Sequence, residues 1–101
     1  MRMLLFFDLP RETSKEVREA NRFVKELKKE GFIMLQESVY CKLLLNMSGV
    51  ESARKKIEKI KPAKGDIMLL TITEKQFGSM EIILGEKNCK EYDSTDRLII
   101  I

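Results

Sequence analysis

The chain has 101 residues, 44% hydrophobic and 35% charged, which fits one globular domain with a modest core and excludes a disordered polymer. Nineteen Lys and Arg against 16 Asp and Glu leave a net charge of only +3, so an anionic partner has to be met by local clustering of cations rather than by bulk charge. Histidine is absent, which removes imidazole bases, Ser-His and Cys-His nucleophile pairs and most zinc chemistry, and leaves carboxylates, hydroxyls, lysines or a hard metal ion for any catalysis.

Residues 3–7 are continuously apolar and end at Asp8, the pattern of a buried strand, and Pro10 bars its continuation. Thr13 and Glu16 have the spacing of a capping box. Val17, Ala20, Phe23, Val24 and Leu27 then recur at helical spacing up to Gly31, where a left-handed residue is easily accommodated. Two β-rich runs follow, 32–36 and 39–45, separated by Glu37 and Ser38. After turn chemistry at 46–49, Ser48 and Glu51 offer a second capping box, and Val50, Ala53, Ile57 and Ile60 mark a second amphipathic helix closed by Lys61 and Pro62. Gly65 and Asp66 lead into a strong strand over 67–73. The order βαββαβ predicts a single α+β domain over 1–101, a ferredoxin-like split βαβ arrangement. Residues 80–84 read as a short fifth strand, and Leu98, Ile99, Ile100 and Ile101 as an apolar C-terminal strand in need of a partner edge, expected to be that of a second copy. A domain this small buries only roughly 60–70% of its unfolded surface, so a shared core in a homodimer would help it.

The apolar run at 3–7 is too short for a signal-peptide core, and no stretch approaches the ~20 residues of a membrane span. Cys41 and Cys89 have no metal-like spacing. The expectation is a cytoplasmic protein with both thiols reduced and no membrane association. Met3, Met34 and Met68, with Phe6 and Phe7, read as core filling.

Asp8 stands out as a carboxylate at the end of an apolar strand. There it is expected to be partly desolvated, and so to need a cation, a helix N-terminus or hydrogen bonds; a simple turn cap is the bland alternative. On the first helix Lys15, Arg18, Arg22, Lys25 and Lys29 fall within an arc roughly 80° wide, opposite the apolar stripe, with Glu19, Glu26 and Glu30 on the flank. A solvated face is the usual meaning of helix charges, but segregation of sign favours an anionic partner. Arg54, Lys55, Lys56 and Lys59, followed by Lys61 and Lys64, form a second basic group suited to backbone phosphates. Neither group carries a base-reading signature, so sequence-independent contact is the natural reading.

In this order and spacing, Met3 to Pro10, the run from Gly31 through Gln36, Glu37, Ser38 and Val39 to Tyr40, Lys42 to Asn46, and Thr71 to Phe77 resemble the Cas-two family, the small second core protein of CRISPR spacer acquisition. The Phe7-Asp8-Leu9-Pro10 and Thr73-Glu74-Lys75-Gln76-Phe77 segments look most like its type II-A branch. The resemblance implies a ferredoxin-like homodimer that bridges two dimers of the Cas-one integrase and holds a double-stranded DNA. It also implies a metal-dependent endonuclease activity on RNA or DNA, in which Asp8 and its symmetry mate share a Mg²⁺ ion and Ser38 lies near the dimer axis. Mg²⁺ prefers oxygen ligands and keeps several waters, so one carboxylate from each protomer could suffice. Many family members carry tyrosine before the aspartate, where this chain has Phe7.

Two other classes compete. A regulatory ferredoxin-like module that binds a metabolite between protomers expects Gly-rich loops at strand ends, which this chain lacks, and has no use for the basic stripe. A stand-alone toxin-type RNase on the same fold is separated by cleavage assays with and without Mg²⁺.

Overall fold

The computed structural model describes residues 1–85, and comprises β1 (Arg2–Asp8), α1 (Ser14–Lys29), β2 (Ile33–Gln36), β3 (Val39–Leu43), α2 (Met47–Ile60), β4 (Asp66–Ile72) and the short α3 (Glu74–Gly78). The sheet order is β2-β3-β1-β4 with every neighbouring pair antiparallel. The predicted βαββαβ order and ferredoxin-like topology are therefore present, with β1 and β2 parallel and β3 between them.

Local chemistry sets the element ends. Thr13 Oγ1 accepts from the Glu16 amide at 3.1 Å while Glu16 returns a carboxylate to the Thr13 amide at 3.1 Å, the capping box read from the sequence. Gly31 leaves α1 at φ 94°, and Lys42 Nζ donates to the Glu30 carbonyl, satisfying one orphan acceptor of the last turn. The second capping box does not form. Asn46, extended at φ −160°, is the cap of α2 and accepts from the Gly49 amide at 2.9 Å. Ser48 already lies inside the first turn, and Glu51 accepts from Arg54 instead. Lys61 closes α2 because Pro62 cannot continue it.

Strand alternation divides the core in two. Met3, Leu5 and Phe7 point to the helices and pack with Phe23, Leu27, Val50, Ala53 and Ile57. Phe7 meets the Phe23 ring edge-on at 5.6 Å and Tyr40 at 5.7 Å. Phe23 is fully buried, so its truncation to Ala would cost about 3–5 kcal/mol. Across the sheet, Leu4, Cys41 and Phe77 form a smaller cluster with Phe6, Leu35 and Ile72, roofed by α3.

Here the structure corrects several expectations. Met3 is core, but Met34 and Met68 are 47% and 66% exposed, and Phe6 is half-buried on the sheet face away from α1 and α2. Residues 80–84 form no strand: the Met80 amide donates to the Phe77 carbonyl, which keeps the chain over α3 instead of sending it along a sheet edge. Cys89 and the apolar strand expected at 98–101 lie outside the described residues. Among the described residues no helix is long and apolar enough to cross a membrane.

Candidate functional site

Asp8 is the last residue of β1, on the same face as Arg2, Leu4 and Phe6, the face that α1 and α2 do not cover. It is exposed, so the desolvated carboxylate expected from the sequence is not found. Directly opposite it in the β1/β4 register stands Asp66, also exposed. Facing residues of an antiparallel pair share a side of the sheet, and like charges there are destabilising unless a cation or water separates them. Sequence pattern alone does not single out Asp66, yet the topology implies it: when β4 pairs antiparallel with β1, its first residue must meet the last residue of β1.

The turn between β2 and β3 is brought to the same end of the sheet. The Phe7 amide donates to the Ser38 carbonyl at 3.1 Å, and Ser38 itself is exposed. Phe7, by contrast, points into the helix-side core. A hydroxyl on that ring would lie on the opposite side of the sheet from the Asp8 carboxylate, so the tyrosine-to-phenylalanine difference does not bear on Asp8 directly.

Among the described residues no group of three or more His, Cys, Asp or Glu side chains is arranged to hold a metal ion. Among the described residues, the carboxylates that the sheet register brings opposite each other at this end are Asp8 and Asp66. That donor set suits a hard, water-retaining ion such as Mg²⁺ and leaves room for ligands from a second copy.

The cations fall elsewhere. Lys15, Arg18, Arg22, Lys25 and Lys29 are all exposed on α1, whose buried side is Ala20, Phe23 and Leu27. Only Lys29 makes an ion pair among the described residues, at 3.9 Å from Glu26. On α2, Arg54 is held between Glu51 at 2.6 Å and Glu58 at 3.4 Å, and its hydrogen bond and charge keep the Glu51 carboxyl below its ordinary range. Lys56 reaches Glu30 of α1 at 3.0 Å. Lys55 and Lys59 are exposed with no ion pair among the described residues. The structure thus places the basic strip on the helix layer and Asp8 on the opposite sheet face; one chain does not bring them together.

The bare face carries a groove of about 280 Å³ lined by Leu4, Phe6, Leu35, Val39, Phe77 and Met80. Beside it, Met68 and Leu70 of the edge strand β4 are 66% and 51% exposed. One wall of the groove is fixed by Arg2, only 4% exposed, whose guanidinium binds Glu74 of α3 through Nε at 3.1 Å and an NH₂ group at 2.7 Å and lies 4.3 Å from the Phe77 ring centroid. Burial pushes the neighbouring Cys41 thiol up, with Arg2 opposing.

The family model for CRISPR associated protein Cas2 matches residues 1–80. A CRISPR-associated endoribonuclease Cas2 of Treponema denticola is 46% identical over 101 residues, covering all of both chains. A protein of the same description from Ligilactobacillus salivarius is 44% identical, again over all of both. The crystal structure of Streptococcus pyogenes Cas2 at pH 6.5 superposes with a TM-score of 0.63 over 84% of this chain and 100% of that one; at 19% identity it speaks for the fold alone. With the family pattern spanning nearly every described element and relatives this similar over their whole length, the chain belongs to the Cas2 family of CRISPR-associated proteins.

Proposed function

We propose that this chain acts as a homodimeric nucleic-acid-holding subunit in CRISPR spacer acquisition, bridging two dimers of the Cas-one integrase and gripping duplex DNA by sequence-independent phosphate contacts. The observation that carries the reading is the α1 strip: Lys15, Arg18, Arg22 and Lys25 are exposed and free of ion pairs among the described residues, while Glu26 reaches only the strip's last cation, Lys29, and Glu30 turns to Lys56. Unpaired cations on one face attract a polyanion without first having to break an internal pair.

Dimerisation is supported by the bare sheet face. Met68 and Leu70 adjoin the groove and, left in water, forgo roughly 1.5–3 kcal/mol each relative to burial. Contiguous apolar surface of this kind marks an interface. Asp8 belongs to the same face, so face-to-face pairing would put both copies' Asp8 at one interface. Asp8 and its mate would then hold Mg²⁺, which when bound supplies charge neutralisation and an activated water for phosphodiester hydrolysis. The relatives are named endoribonucleases, which makes RNA a substrate to test beside DNA.

Gel shifts on an unrelated-sequence duplex across a salt series test the strip. In Arg18→Ala/Arg22→Ala/Lys25→Ala, the log–log salt slope should fall by about 0.9 for each phosphate that is no longer neutralised; affinity equal to wild type at low salt would reduce the strip to a solvated face. In a parallel arm, Asp8→Asn should abolish Mg²⁺-dependent cleavage of single-stranded RNA and of duplex DNA while leaving duplex binding intact. Cleavage that survives in this variant removes Asp8 from the chemistry. Failure to co-purify with Cas-one would count against the bridging role.

A further inference from the structure

We infer that Gly65 is a positioning residue for the Asp8 carboxylate, an inference that rests on the reading of Asp8 as a divalent-cation ligand. The turn after α2 must return the chain so that β4 starts at Asp66, directly opposite Asp8. Gly65 is the last residue of that turn and sits at φ 116°, a conformation that side-chain-bearing residues rarely adopt. It also lies directly against the end of β1. A Cβ at this position would stand 2.9 Å from the Asp8 carbonyl oxygen, 2.6 Å from Leu9 Cδ2 and 3.2 Å from Leu9 Cα.

The nature of those neighbours decides the consequence. The tip of Leu9 can rotate away, but the carbonyl oxygen cannot yield without tilting the Asp8–Leu9 peptide, and Asp8 is carried with it. Asp66 follows Gly65 immediately, so any retreat of the turn moves the second carboxylate in the opposite sense. A methyl group here therefore widens or skews the facing pair. The other glycines with positive φ lack this property. Gly31, at φ 94°, would meet only the Lys42 side chain at 3.6 Å, and Gly85, at φ 124°, would meet nothing within 4 Å. The three share a conformational requirement, but Gly65 alone among them is pressed against a carboxylate-bearing peptide.

The test is Mn²⁺ titration of the full-length protein, read as paramagnetic broadening of the Asp8 and Leu9 amide resonances, with kcat at saturating metal and the melting temperature recorded alongside. Gly65→Ala should weaken Mn²⁺ binding by about tenfold or more, the size seen when support around a metal ligand is disturbed. Gly31→Ala, which carries similar backbone strain at a distance, should melt earlier yet bind Mn²⁺ as wild type does. Equal losses in the two variants, or wild-type affinity in Gly65→Ala, would overturn the assignment. Should Gly65→Ala melt below the assay temperature, Gly65→Asn tolerates the positive φ better but still brings a Cβ against the Asp8 carbonyl, and should weaken binding in the same direction; unchanged affinity there overturns it too. A wild-type spectrum without broadening at Asp8 brings down the metal reading itself, and this inference with it.

Discussion

Removing Glu74 should destabilise this protein more than removing its partner Arg2, although the same ion pair disappears in both cases. Arg2 is 4% exposed and its guanidinium is enclosed between the sheet and α3, whereas the Glu74 side chain is 35% exposed. In Glu74→Ala the guanidinium stays charged and buried without its carboxylate. Breaking a fully buried pair in this way costs about 3–5 kcal/mol, and access of water from the exposed Glu74 side reduces that to about 2–3 kcal/mol. In Arg2→Met the charge leaves with the side chain. Glu74 is wet enough to be hydrated, an apolar chain fills much of the space, and the loss is about 1 kcal/mol, mainly the cation–π interaction with Phe77. Because the two residues touch, the double variant should resemble Arg2→Met rather than the sum. Urea unfolding at one fixed protein concentration measures all three variants, which holds any contribution of the proposed dimer constant. Equal costs for the two single variants, or additivity in the double, would refute the claim that the asymmetry of burial controls the energy.

Alkaline pH and helix capping offer two further tests. Burial pushes the Cys41 thiol above its ordinary 9.0 and the Tyr40 phenol above 10.0, so the unfolded chain releases these protons first. Their contribution is complete below about pH 9 and is lost as pH climbs through the folded-state values: the melting temperature should hold up to about pH 9 and decline above it, and Cys41→Ala should delay the decline towards pH 10. Asn46→Ala should cost about 1 kcal/mol as a true N-cap loss, whereas Ser48→Ala should stay within about 0.5 kcal/mol; the reverse ranking in denaturant melts would show that the cap is misassigned.

Much of the fold is written in local pattern. The Thr13–Glu16 box, the spacing of Phe23 and Leu27 and the stop at Pro62 place both long helices, and the β-branched and apolar runs between them leave little choice of topology. The short α3 escapes a periodicity reading because five residues hold barely one turn, although Thr73 and Gln76 form a capping box of their own. A continuous apolar run also hides which face it buries. In β4, Ile67 and Leu69 reach the helix-side core while Met68 and Leu70 do not, and only the pairing of Phe6 with Met68 and Leu4 with Leu70 shows that the second set lies on the bare face. The burial of Arg2 is hidden for a related reason: a charged residue at a strand start normally reads as solvated, and its partner Glu74 stands seventy-two positions away.

The basic residues divide in a way that sequence spacing does not contain: Arg22 has Glu19 three residues before it and Glu26 four after it, the same spacing as around Arg54, yet among the described residues only Arg54 is paired with its two carboxylates. Arg54 has Glu51 three residues before it and Glu58 four after it, both of which reach it, so an incoming phosphate would have to displace a carboxylate. Lys56 is drawn to Glu30 across the α1–α2 junction. On α1 the opposite arrangement holds: Glu19, Glu26 and Glu30 are half-buried on the flank, while the cations lie on the outward side. Packing α1 against the core thus separates the signs that its sequence interleaves. Both basic groups therefore keep unneutralised charge among the described residues: Lys15, Arg18, Arg22 and Lys25 on α1, and Lys55, Lys59, Lys61 and Lys64 on and after α2.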